Sequence, residues 1–151
     1  MSNHSDVREE LELNLGKQLN ALISEAHALN VRTASIFDET LQPAAFLIVR
    51  WLYSHGPANA STLAESTAMD RSSVSRLIGQ LKNRGYVMSK PHSTDRRGVL
   101  LSLTTHGREK TTKAIREKES IFYETISGLT NSQLKEYIEM LKNLSIQKKE
   151  D

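Results

Sequence analysis

At Gly85 the spacing of apolar residues switches from helical to alternating, and near Thr104 it switches back, so this chain must build a short hairpin between helices. Before the switch, Val74, Leu77, Ile78 and Leu81 fall at i, i+3, i+4 and i+7, the stripe of a helix with one face in a core. Asp70 stands just ahead of that stripe, where a carboxylate accepts from the unsatisfied N–H groups of a first helical turn. Asn83-Arg84-Gly85 ends the helix, with Gly85 suited to the left-handed position that follows one. A shorter helix is expected from about Ser61 to Thr67, with Leu63 and Ala64 on its buried side and Thr62-Leu-Ala-Glu65 as a capping box. Only the stretch around Ala68 and Met69 separates the two helices, and so brief a turn forces a sharp angle between them. A helix-turn-helix is the expected result.

The segments Tyr86–Lys90 and Val99–Leu103 read as strands around a turn-rich stretch from Pro91 to Gly98. Arg96 and Arg97, side by side at the tip, have no evident folding role. A loop of this kind, taken alone, is a solvated turn. Directly after a helix pair it reads as a cationic finger that can enter the narrow minor groove, where negative potential is enhanced. On the second helix of the pair, Ser72, Arg76, Gly79 and Asn83 lie opposite the apolar stripe, flanked by Ser73, Ser75 and Gln80. That outer face carries no carboxylate, which suits an approach to phosphates and base edges. Gly79 has two readings: a tolerated defect costing about 1 kcal/mol, or a place where the helix backbone comes close to DNA.

The formal net charge of +2 says little, but its distribution says more. Arg71, Arg76, Lys82, Arg84, Lys90, Arg96 and Arg97 face only Asp95 within residues 71–98, whereas residues 1–47 hold seven carboxylates against Arg8, Lys17 and Arg32. Positive charge gathered over a helix-turn-helix is the footprint of a nucleic-acid binder. The candidate DNA-binding residues are Arg71, Ser72, Ser73, Ser75, Arg76, Gln80, Lys82, Arg96 and Arg97.

These residues resemble the MarR family of winged helix-turn-helix transcriptional regulators. The likeness rests on Met69-Asp-Arg-Ser-Ser-Val-Ser-Arg76 at the start of the second helix, Gly85-Tyr-Val after it, Asp95-Arg-Arg97 in the wing and Leu103-Thr104 opening the next helix. With the order of the flanking helices, it extends over nearly the whole chain. The resemblance implies a homodimer on a pseudo-palindromic operator, usually a repressor released by a small molecule. It implies that Ser72, Ser73, Ser75 and Arg76 lie in the major groove and Arg97 in the minor groove, with Asp95 orienting the wing arginines. A peroxide-sensing branch of the family uses a reactive cysteine, and this chain has no cysteine.

A long helix is expected from about Val7 to Phe37, with Leu15, Leu19, Leu22, Ile23, Ala26 and Leu29 along one side. Pro43 opens a second helix, where its missing N–H costs nothing, and Phe46, Leu47, Val49, Arg50, Trp51 and Tyr53 mark that helix as central. Thr104 or Thr105 caps another long helix, with Ala114, Ile115, Ile121, Phe122 and Ile126. The last helix starts at the capping box Thr130-Asn-Ser-Gln133 and carries Leu134, Tyr137, Ile138, Leu141 and Leu144. The expected fold is mainly α with a small β-hairpin, one domain over residues 1–151. Residues of about 42–104 form the winged DNA-binding lobe, and about 1–40 and 105–151 form dimerisation helices. A winged lobe this small cannot cover the terminal stripes, and burying each Leu or Ile is worth about 1.5–3 kcal/mol, so a two-fold dimer is expected.

With 151 residues, 38% of them apolar, the chain suits a single soluble domain, and without cysteines it fits a cytoplasmic one. No run approaches the roughly 18 apolar residues of a membrane span, and no signal-peptide core precedes the first helix. An enzyme is not expected: there is no Gly-x-Ser-x-Gly elbow and no phosphate-binding glycine loop. His4, His27, His55, His92 and His106 lack metal-ligand spacing, so neither metal nor cofactor is expected, although a metal site assembled from distant residues stays open. The resemblance implies an effector crevice between the dimerisation helices and the DNA-binding lobe, for which Trp51, Tyr53, His55, His27 and Arg32 are the residues to consider. The aromatic pair reads as core and the other three as solvated, so no ligand residue is assigned. Two further readings stay open: a DNA-binding regulator or activator without an effector, and a winged-helix module for protein interaction.

Overall fold

A computed structural model of the chain describes residues 4–91 and 98–144, in the order α1 (His4–Phe37), α2 (Pro43–His55), α3 (Ala60–Thr67), α4 (Arg71–Asn83), β1 (Val87–Pro91), β2 (Val99–Leu103), α5 (Thr105–Ile126) and α6 (Asn131–Leu144). The architecture is mainly helical with one antiparallel hairpin, the fold class the apolar spacing predicts. Two compact units divide the chain, Met1–Lys118 and Glu119–Asp151.

The core of the first unit surrounds α2, whose Phe46, Ile48, Val49 and Leu52 are buried. Against them pack Leu63 of α3, Val74, Leu77, Ile78 and Leu81 of α4, Val87 and Leu101 of the hairpin, and Ala34 and Phe37 at the end of α1. The expected stripe of α4 is buried in full. In α2 the large Trp51 and Tyr53 are only half-buried, while Ile48 and Leu52, absent from the expected set, fill the centre.

The turns carry the strongest local signals. Asn59, not Thr62, caps α3: its Oδ1 accepts from the Thr62 amide at 2.8 Å, and the helix starts one residue earlier than expected. Asn is as good a cap as Thr, and its extended backbone (φ −82°, ψ 166°) aims the side chain back at the helix. Between α3 and α4, Ala68 adopts φ 54°, a left-handed conformation that costs a non-glycine residue roughly 1–2 kcal/mol. Its amide meets carbonyls of Ala64 and Glu65, which close α3 sharply enough for α4 to cross it. Gly85 takes φ 74°, as expected after α4.

Strand β1 pairs with β2 from Val87↔Leu103 to Pro91↔Val99. Tyr86 lies outside the strand, contrary to the expected boundary; its amide donates to Leu81 at 3.0 Å and its carbonyl accepts from Thr104 at 3.0 Å. Ala58 adds an isolated bridge to Leu101, a one-residue third strand that no alternation announces. At the start of α5, Thr104 Oγ1 accepts from the Gly107 amide at 3.0 Å, which settles the cap on Thr104. A Cβ on Gly107 would sit 2.1 Å from the Tyr86 carbonyl oxygen, so α5 runs against the start of the wing only because this residue has none.

Most of α1 lies outside that core. Val7, Leu11, Leu15, Leu22 and Ile23 are each more than half exposed or half exposed, and burial begins only near Thr33. In the second unit, the expected box caps α6: Gln133 Oε1 accepts from the Thr130 amide at 2.9 Å and Thr130 Oγ1 from the Gln133 amide at 3.2 Å. No residue of α6 is buried, and Ile121, Phe122, Tyr123, Tyr137, Ile138, Met140, Leu141 and Leu144 are 49–72% exposed. Among the described residues no helix is long and apolar enough to cross a membrane.

Candidate nucleic-acid interface

Helix α4 is fixed at its start by Asp70. One carboxylate oxygen accepts from the Ser73 amide at 2.8 Å and the other from the Ser73 hydroxyl at 2.7 Å. The Ser73 hydroxyl and amide hold the Asp70 carboxyl below the usual carboxylate range. The acid is thereby tied to the helix terminus, where negative charge complements the helix dipole. Ser73 is half-buried in this cap and donates its hydroxyl proton to Asp70, so it holds the helix start; that proton is not directed at a phosphate.

The rest of the outer face is open. Arg71, Ser72, Ser75, Arg76, Lys82 and Asn83 are exposed, Gln80 and Gly79 are half-buried, and α4 contains no acidic residue. Among the described residues nothing lies within 4 Å of a Cβ built on Gly79, so their packing does not call for glycine there. Gly79 and Ser75 line a hollow of about 290 Å³ with Ala60, Ile78, Lys82, Val99 and Leu101, between α4 and the hairpin. Lys90 is exposed near the end of β1. The expectations for Asp95, Arg96 and Arg97 lie outside the described residues.

Where α4 ends, the structure assembles a polar cluster that sequence reasoning missed. Asp38 Oδ2 accepts from Arg84 Nη1 at 2.9 Å and from the Tyr86 hydroxyl at 2.9 Å, while Oδ1 accepts from the Thr40 amide at 2.9 Å and its hydroxyl at 2.6 Å. Arg84 also donates to the Thr40 hydroxyl. Burial alone would raise the Asp38 pKa, but these donors, Thr40 foremost, outweigh it and hold the carboxyl far below its usual range. Lys110 Nζ donates to the Tyr86 hydroxyl at 3.2 Å, and His106 stacks on the Tyr86 ring.

Of the residues considered for an effector crevice, Trp51 and His55 stack at 4.5 Å and line a cavity of about 340 Å³ with Leu47, Arg50, Ser54, Ser66 and Thr67. Tyr53 faces α5 instead, where its hydroxyl meets Thr112 at 3.3 Å and Arg108 lies over its ring. His27 and Arg32 are exposed on α1. Among the described residues no three His, Cys, Asp or Glu side chains cluster to hold a metal ion.

A short helix, a sharp turn, a capped second helix with a cation-bearing face and a two-stranded hairpin behind it define a winged helix-turn-helix. Residues 41–99 match the model of the MarR family. Over 70 residues, 46% of this chain, it is 33% identical to the HTH-type transcriptional repressor NicR of Pseudomonas putida and covers 44% of that protein. The chain spans about half the length of the curated relatives it matches. Apo MarR from E. coli has the same fold, with a TM-score of 0.63 at 21% identity over 86% of this chain and 96% of that one. Bordetella bronchiseptica BpsR, whose DNA binding is regulated by 6-hydroxynicotinic acid, matches with a TM-score of 0.53 at 26% identity, over 84% of this chain and 98% of that one.

Proposed function

We propose that this chain is a homodimeric, sequence-specific DNA-binding repressor of transcription, acting in the cytoplasm without catalysis and released from a pseudo-palindromic operator by a small molecule. The observation that carries the reading is the outer face of α4, where Arg71, Ser72, Ser75, Arg76 and Lys82 are exposed and no carboxylate opposes phosphate. On this reading Arg76 makes a bidentate contact to guanine, Ser72, Ser75 and Gln80 meet base edges, and Arg71 and Lys82 meet phosphates. The wing arginines Arg96 and Arg97, oriented by Asp95, supply the minor-groove contact. Residues of about 42–104 form the reading lobe, and about 1–40 and 105–151 carry the apolar surface that a second copy covers. BpsR supports a small aromatic acid as the effector class.

Selection from a random duplex library, followed by gel shifts on the selected sequence, tests the reading. Arg76→Ala is expected to weaken binding by about 1–3 kcal/mol and to relax preference at one base pair of each half-site. No preference for any duplex over random competitor would overturn the DNA reading. Release of the selected duplex by 6-hydroxynicotinate or a related acid would support the effector class, and release by none of a panel of aromatic acids would remove it. A monomer at micromolar concentration by sedimentation would remove the dimer.

A further inference from the structure

We infer that Asp38 is the positioning residue that sets how far apart, and at what angle, the dimer holds its two copies of α4. The inference rests on the proposed dimeric DNA-binding reading and names the side chain on which its geometry depends.

Asp38 follows directly on Phe37, the last residue of α1, and its amide still donates to the Ala34 carbonyl at 3.0 Å. Its carboxylate therefore belongs mechanically to α1, the helix whose exposed Leu11, Leu15, Leu22 and Ile23 await a partner. The two donors on Oδ2 belong to the other end of the apparatus. Arg84 is the C-cap of α4, and Tyr86 immediately precedes β1. One oxygen thus ties both the end of the recognition helix and the root of the wing to the end of the dimerisation helix.

The chemistry suits positioning more than bulk stability. Apolar side chains of similar size can slide past one another with little penalty, whereas charge-assisted hydrogen bonds fix both distance and direction. The Asp38 side chain is 11% exposed and that of Arg84 38%, so this pair is shielded at the carboxylate and open at the guanidinium. Thr40 grips the second carboxylate oxygen through both its amide and hydroxyl, which prevents the carboxylate from rotating. Beneath it the Phe37 and Tyr86 rings lie 4.8 Å apart and Lys110 holds the Tyr86 hydroxyl, so the donor side is fixed as well. Half-sites are read one turn apart, roughly 34–36 Å, so a small rotation at this joint displaces each α4 from its groove.

The chain has no cysteine, so Ser72→Cys places a single spin label on the exposed face of each α4. Pulsed dipolar spectroscopy on the DNA-free dimer should give one narrow inter-label distribution. Asp38→Asn and, separately, Arg84→Gln should broaden or shift it by several ångströms, with helical content and sedimentation unchanged. Thr40→Ala, a milder release of the same carboxylate, gives the readout if Asp38→Asn fails to fold. On the selected operator, one base pair inserted at the centre should weaken the wild type by about tenfold or more and Asp38→Asn by less than about threefold. Superimposable distance distributions for all three variants, or an undiminished insertion penalty in Asp38→Asn, would overturn the inference. A labelled parent with no inter-label distance would remove the dimer itself, and this inference with it.

Discussion

Helices α4 and α6 carry equally regular apolar stripes, yet their fates are opposite. Val74, Leu77, Ile78 and Leu81 of α4 are buried, while Tyr137, Ile138, Leu141 and Leu144 of α6 stay about half exposed. Three of the first four residues of the α1 stripe side with α6: Leu15, Leu22 and Ile23 are exposed although their spacing demands a core. An amphipathic pattern states that a helix has a buried face, and it does not state which chain does the burying. In the lobe of α2, α3 and α4 the partner is local; along α1 and α6 most of the apolar stripe stays exposed. Exposed apolar surface on that scale favours association.

Paired truncations press on this contrast. Phe46, 1% exposed at the centre of the lobe, should cost about 3–5 kcal/mol on replacement by Ala in urea unfolding, independent of protein concentration. Ile138→Ala in α6 should leave the isolated protomer nearly unchanged and weaken self-association, by about 1.5–3 kcal/mol for each side chain buried at the interface. Its effect on unfolding should therefore grow with protein concentration. A concentration-independent, near-zero effect for Ile138→Ala would show that no second copy covers α6.

The same division between local and distant partners decides what could be read in the sequence. Asp70 and Gly85 were legible because a cap and a left-handed turn involve residues within four positions, and both stand where expected. The cap of α3 was misread because Asn59 and Thr62 compete for one helix start, and both chemistries fit. Ser73, placed on the outer face by helical spacing, folds its hydroxyl back to Asp70, a contact that spacing alone does not express. The bridge of Ala58 to Leu101 involves too few residues to leave a period. Asp38 shows a local turn signal toward Thr40, but Arg84 and Tyr86 lie 46 and 48 residues away, beyond any pattern in a single sequence.

Asp38 joins the end of α1 to the end of α4, and acid should loosen that joint. Its pKa in the folded chain is held below the ordinary value of 3.8, so its contribution is complete above that value and is lost as pH falls toward the folded pKa. The stability advantage of the wild type over Asp38→Asn should accordingly shrink between about pH 5 and about pH 2, as read by urea unfolding at fixed protein concentration. A constant difference across that range would mean that the carboxylate charge adds nothing to the joint.

The smallest expected effect lies at Gly79, where the lobe departs from what its own packing requires. A Cβ there meets no atom of the described residues within 4 Å, and alanine is favoured over an interior helical glycine by about 1 kcal/mol, so Gly79→Ala should stabilise the free protein by about 0.5–1 kcal/mol. If glycine were only a tolerated defect, operator binding would be unchanged. If the backbone of α4 comes close to DNA at this turn, the added methyl group meets a phosphate or sugar, and affinity falls while stability rises. The expected outcome is the second, with a loss of about tenfold, close to 1.4 kcal/mol, in a gel shift on the selected operator. Opposite signs for folding and binding at one residue would mark a position held for its partner, in a helix whose other face is already buried.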